Sequence, residues 1–270
     1  MRAINVLGVA VWFCWVYFPS TFAQPPSSTK RVLVAEGDSV YRTKQKETPT
    51  EHWKLWRLEN GDYEVDEDSI SRPGVIQIYR FDTHLIPLGF TWKIQNERST
   101  DGKAPTHSFV LSCQYLPEQL KCESESRGHK SEAVESARPP FVMMGEFYGL
   151  DFNWFATGVV HLALKYGPKD TTIPVYFLTD GKAVGDIGIE PDQPIMIRLE
   201  GEEKDVVFGK EQTVRTFEGG GALRKIRVAE NGMVVGITSD RDPASGVGIA
   251  NYKEYEPWGN RLSGDTGKQR

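Results

Sequence analysis

The feature that most constrains this chain is a period-two pattern cut by turn pairs. Trp53-Lys54-Leu55-Trp56-Arg57-Leu58 runs into Asn60-Gly61, and Tyr63-Glu64-Val65-Asp66 leaves it. Successive side chains on a strand point to opposite faces, so this alternation suits a sheet with one buried face. Asn-Gly tolerates positive φ at both central turn positions and is a strong short-range hairpin signal. The pattern recurs. Residues 75–81 and 88–94 form a second pair about His84, and later strands are expected at 173–179, 195–199, 212–217, 223–228, 234–238 and 249–255. Asp180-Gly181, Glu200-Gly201 and Asn231-Gly232 punctuate them. Ten or more strands at spacings of 8 to 12 residues predict a mainly β protein with one antiparallel sheet, curled or closed, rather than βαβ units. The 26 glycines and 11% aromatic residues fit that turn-rich class.

One segment breaks the period. In residues 150–166, Phe152, Phe155, Ala156, Val159, Leu162, Ala163 and Tyr166 fall on one stripe at helical spacing. Asp151 is the expected N-cap and Gly167-Pro168 the stop, with Asn153, Trp154, Thr157, His161 and Lys165 on the opposite, polar face. An amphipathic helix among strands can supply core or cover the mouth of a curved sheet, and the pattern leaves both readings open. Residues 128–140 read as a second, weaker helix or a charged loop.

The amino terminus points to export. Arg2, an apolar run over residues 4–18 and the small-residue site ending at Ala23 read as a secretory signal peptide. The run is too short to span a bilayer, and the large Trp12-Phe13 before Cys14 argue against a lipoprotein signal. Residues 24–35 are then a flexible leader and first-strand region, 36–258 a single β-rich domain and 259–270 a disordered tail. The expected location is periplasmic or secreted, with no transmembrane segment after cleavage. The net charge of −5 becomes about −6 on losing Arg2, and no basic block is present, which excludes nucleic acid as a partner. Cleavage also removes Cys14 and leaves Cys113 and Cys122. A turn about Pro117-Glu118 sets Tyr115 opposite Leu120 and Cys113 opposite Cys122, which in an oxidising compartment predicts a cross-strand disulfide.

Catalytic and metal motifs are incomplete. Residues 31–40 run as an apolar strand into Gly37-Asp38-Ser39, which looks like the first block of the GDS-type esterases. A nucleophilic serine needs a histidine base and an orienting carboxylate. The Asp-x-x-His of that family does not occur, and the last histidine, His161, stands far from the end. His52, His84, His107, His129 and His161 lie 22 to 32 residues apart, so none has the i, i+4 spacing of a paired metal ligand. Asp62, Asp66 and Asp68 miss the register of a calcium loop, and Gly219-Gly220-Gly221 lacks the lysine and Ser/Thr of a phosphate loop. No metal or cofactor is expected.

Asn60-Gly61-Asp62-Tyr63, Phe81-Asp82 with Pro87 beyond it, the Asp151 helix followed by Thr172-Ile173-Pro174-Val175, and the final Tyr252-Lys253-Glu254-Tyr255 together carry a resemblance. Over residues 36–256 the chain resembles an uncharacterised family of bacterial periplasmic proteins, similar in predicted architecture to the LolA/LolB lipoprotein carriers. The resemblance implies an unclosed half-barrel embracing one helix and an apolar interior that takes acyl chains, and it transfers no functional residue. The function expected is therefore a non-catalytic envelope protein that binds a lipid-like or amphipathic ligand, with Trp92, Phe152, Phe155 and Val159 facing it. The alternatives are a structural or protein-interaction module of the envelope, with an envelope protein as partner, and, third, a serine esterase acting through Ser39.

Overall fold

A computed structural model of the chain describes residues 30–70, 73–95, 108–126, 128–144, 152–167, 170–180, 186–220, 224–238 and 245–259. The expected signal segment, Asp151, His107, Gly181, Gly221 and tail residues 260–270 lie outside them. Among the described residues the fold is almost entirely strand, with one helix. The strands are β1 (Arg31–Arg42), β2 (Glu47–Leu58), β3 (Tyr63–Ser69), β4 (Val75–Phe81), β5 (Pro87–Gln95), β6 (Ser108–Leu116), β7 (Gln119–Ser126), β8 (His129–Ser136), β9 (Val142–Met144), β10 (Asp170–Ile173), β11 (Val175–Asp180), β12 (Ile187–Pro191), β13 (Ile195–Val207), β14 (Lys210–Gly219), β15 (Lys225–Val228), β16 (Val234–Thr238) and β17 (Gly246–Glu254). The helix α1 spans Phe152–Tyr166.

Fourteen strands form one unclosed antiparallel sheet in the order β10-β13-β14-β15-β16-β17-β1-β2-β3-β4-β5-β6-β7-β8. The first and last strands meet in its middle, where β17 pairs with β1, so two meanders are joined into one continuous surface. Bulges interrupt the β1–β2, β1–β17, β4–β5, β13–β14 and β15–β16 ladders, and each bulge bends its strand and adds local twist.

The expected hairpins stand in register. Trp56 faces Glu64 across the turn that holds Gly61 at φ 90°, and Tyr79 faces Phe90 across the turn after Phe81. There Asp82 Oδ1 accepts from the His84 and Ile86 amides at 2.8 and 2.9 Å. Cys113 faces Cys122 and Tyr115 faces Leu120, and the cysteines are bonded with their Cα atoms 4.1 Å apart.

Four expectations fail for tertiary reasons. Residues 128–140 are no helix: β8 occupies 129–136 and pairs with β7 along its whole length. The strand expected at 173–179 is two, because Pro174 lacks the N–H to continue the ladder. β10 joins the large sheet, and β11 enters a separate sheet of order β12-β11-β9. The expected single antiparallel sheet is therefore two sheets, and β9 pairs with β11 in parallel. Glu200-Gly201 is no turn either, since β13 runs on through a bulge to Val207, and the hairpin turns at Phe208-Gly209, both with positive φ.

One face of the large sheet is charged and solvated. Arg31 bonds Glu64 and Asp66, Arg80 bonds Glu64, and Lys253 bonds Glu36. Exposed pairs of this kind add little to stability. The other face carries the core in three clusters. The first gathers Trp53, Leu55, Val65, Phe81, Trp154 and Trp258. In the second, Val159, Leu162 and Ala163 of α1 meet Ile197, Phe217, Ile226 and Val234. The third packs Phe90, Trp92, Leu111 and Leu120 against Phe141, Met143 and Leu178. The small sheet serves two of these clusters, because Val142 and Val175 on one face join the helix cluster while Met143 and Leu178 on the other join the third.

The helix departs from its expected two-faced pattern. Asn153, Trp154, Thr157 and His161, placed on a polar face by spacing, are all buried, and Tyr166, placed on the apolar stripe, is 46% exposed. Thr157 and His161 find partners on the helix backbone, on β16 and in the turn before it. Thr157 Oγ1 donates to the Asn153 carbonyl at 2.7 Å and accepts from the Val234 amide at 3.2 Å. His161 Nε2 bonds the Gly232 carbonyl at 2.9 Å. Among the described residues no helix is long and apolar enough to cross a membrane.

Candidate ligand-binding interior

Of the four residues expected to face a ligand, the structure places two together. Phe155 and Val159 share the helix cluster, Val159 fully buried and Phe155 partly so. Trp92 lies in the third cluster, on the far side of the β2–β5 ladders, and is 5% exposed. Phe152 opens α1, and its side chain lies outside the described residues.

Gly37-Asp38-Ser39 sits inside β1 rather than at a strand-to-helix turn, and each residue has a packing role. Gly37 lies under the Trp53 ring, where a Cβ would come within 2.6 Å of the indole. Asp38 points to the charged face and bonds His52 Nδ1 at 2.8 Å and Asn251 Nδ2 at 2.6 Å. Ser39 points to the opposite face, is fully buried, and accepts from Asn153 Nδ2 at 3.3 Å. The hydroxyl and the imidazole thus stand on opposite sides of the sheet, an arrangement unlike a nucleophile and its base. Among the described residues no three His, Cys, Asp or Glu side chains are placed to hold a metal ion.

The inner face holds a different constellation. In the cross-strand register, Gly37 faces Trp53, Trp53 faces Glu67, Glu67 faces Gln77 and Gln77 faces Trp92. These residues form one row across β1 to β5. On the adjacent row Ser39 faces Glu51. Glu51, Glu67 and Gln77 are at most 3% exposed. Burial of such groups is costly unless hydrogen bonds replace water. Tyr79 donates to Gln77 Oε1 at 3.1 Å, and Thr50 Oγ1 bonds both Glu51 and the Ser39 carbonyl.

The first turn of α1 lies over this region. Asn153 Nδ2 donates to Ser39 Oγ and to the Gly248 carbonyl, each at 3.3 Å. A backbone carbonyl can only accept, so the amide orientation is fixed and Oδ1 is the atom left over. Trp154 packs edge-on against Trp53 with ring centroids 5.4 Å apart. The buried polar atoms with no hydrogen-bond partner among the described residues include the indole nitrogens of Trp53, Trp92 and Trp154, and Asn153 Oδ1. Indole N–H groups are donors only and, when buried, ordinarily find an acceptor.

At the other end of α1, burial pushes His161 down to about 4, outweighing its bonds to the Gly232 and His84 backbones and the nearby Asp82 charge. It is a neutral structural group at physiological pH. Tyr252 is pushed up to about 12, again by burial, and its hydroxyl accepts from Trp258 Nε1 at 3.0 Å.

The helix spacing hid Asn153 and Trp154 by assigning them to solvent. Glu51, Glu67 and Gln77 were findable, because each shares the parity of buried neighbours: Glu51 with Trp53 and Leu55, Glu67 with Tyr63 and Val65, Gln77 with Phe81. A polar residue at an inward position of an alternating strand is the signal. Comparison of the chain with protein-family models, curated proteins and solved structures found no match to any of them.

Proposed function

We propose that this is a non-catalytic exported carrier whose inner sheet face, with α1 over it in the manner of a LolA-like half-barrel, binds a lipid-like or amphipathic molecule. The observation that carries the reading is the mixed character of that face. Apolar clusters lie on both sides of a buried polar row, and the Trp53, Trp92 and Trp154 indole nitrogens and Asn153 Oδ1 have no partner among the described residues. A face meant only as core would be apolar or fully bonded. An amphipathic ligand matches both parts, its chain against the clusters and its polar end toward the row. The two-sided sheet supports the reading further, since the charged face stays in water while the other does the binding.

The test is native mass spectrometry of the chain purified from its own host without detergent, followed by solvent extraction. A bound mass in the range of a lipid, removed by extraction and restored by adding it back, is expected. A protein that emerges empty and takes up no added amphiphile refutes the carrier and leaves a structural or protein-interaction module of the envelope as the reading to pursue.

A further inference from the structure

We infer that the polar row and the first turn of α1 form a head-group site for a neutral, hydroxyl-bearing acyl ester, of which a monoacylglycerol is the simplest member. The inference rests on the carrier reading and specifies the end of the ligand that the interior recognises.

Trp53, Trp92 and Trp154 present three N–H donors, and Asn153 Oδ1 presents one acceptor, all on side chains at most 5% exposed. A purely hydrocarbon ligand would leave all four unsatisfied. A carboxylate head would supply acceptors but, ionised, has no hydrogen to give Asn153 Oδ1. An ester with free hydroxyls answers both needs, since its carbonyl and hydroxyl oxygens accept and a hydroxyl hydrogen donates.

The dimensions agree. Trp53 and Trp92 are three strand spacings apart in one row, about 14 Å. A glycerol ester with the first carbons of its chain spans that length. Asn153 stands over Ser39 and Gly248, beside the Trp53 row, because Ser39–Glu51 and Gly37–Trp53 are successive same-face pairs of the β1–β2 ladder. The acyl chain then continues into the cluster of Phe90, two residues from Trp92 on β5, and Leu111, opposite Trp92 on β6.

Three ligands with the same chain length separate the head from the tail: monoolein, oleate and 1-octadecene, each titrated into the delipidated chain at pH 8. Occupancy is read by native mass spectrometry and binding by tryptophan fluorescence. Monoolein is expected to bind at least about tenfold tighter than 1-octadecene and also tighter than oleate. Trp92→Phe keeps a ring and removes one N–H. It is expected to weaken monoolein about fivefold more than it weakens 1-octadecene, with circular dichroism reporting that the variant is folded. Trp154→Phe should behave in the same way. Equal affinity for monoolein and 1-octadecene, or the same loss for both ligands in Trp92→Phe and Trp154→Phe, overturns the head-group site while the carrier stands. Failure of all three ligands to bind overturns the carrier reading itself.

Discussion

Lowering the pH should unfold this protein partly through one histidine. His161 sits on α1 against the β16 side of the sheet, 5% exposed, with its Nε2 bonded to the Gly232 carbonyl. Gly232 is fixed there twice over, by its φ of 90° and because a Cβ would come within 2.7 Å of the imidazole. The titratable groups that face the ring are Asp82 and His84, from the β4–β5 turn. Burial lowers the folded-state value from 6.5 to about 4. The unfolded chain therefore binds a proton that the folded chain refuses, and stability is full above pH 6.5 and falls as the pH drops toward 4. At about 1.4 kcal/mol per unit, the full loss is about 3 kcal/mol, of which about 2 kcal/mol appears between pH 8 and pH 5. Glutamine can present an N–H to the Gly232 carbonyl but does not titrate, so His161→Gln is the informative variant. Urea denaturation of both proteins at pH 8, 6.5 and 5 isolates the histidine, since every other titrating group is common to both. The variant is expected to lose about 2 kcal/mol less than the parent between the extreme pH values. Identical pH dependence in the two proteins would refute the argument that burial holds His161 neutral.

Other expectations follow from the packing. Gly37→Ala puts a methyl group against the Trp53 indole and should lower stability by about 1–3 kcal/mol, measured as a shift in urea midpoint at constant slope. Cys113→Ser opens a loop closed by residues nine apart in sequence and should cost about 2–3 kcal/mol, whereas reductant should destabilise only the parent. Thiol titration of the denatured, unreduced protein after loss of residues 1–23 should find no free thiol. Asp82→Ala removes the acceptor for two turn amides and should cost about 1 kcal/mol with unchanged hairpin register, checked by thermal melting and by amide exchange at His84 and Ile86.

Local signals located the hairpins and the helix. Asn60-Gly61 specified a turn, the alternation around it set the inward parity of Trp53 and Leu55, and the distances of Cys113 and Cys122 from Pro117-Glu118 were enough to pair them. These are short-range matters, decided by φ preferences and by a side-chain period of two. What Pro174 does was open locally, since a missing N–H can end a strand or mark its edge, and only the competing partners β13 and β9 decided that two sheets result. Residues 129–136, charged and nearly without apolar periodicity, became a strand because β7 offered a full ladder of backbone partners. Asn153, Thr157 and His161 are polar at every level of sequence reading, yet all three are buried, because the Gly248 and Gly232 carbonyls and the Val234 amide come from residues more than 70 positions away. Parity on a strand is a property of the chain alone. Whether a polar side chain may leave water depends on partners that only the folded sheet brings within reach.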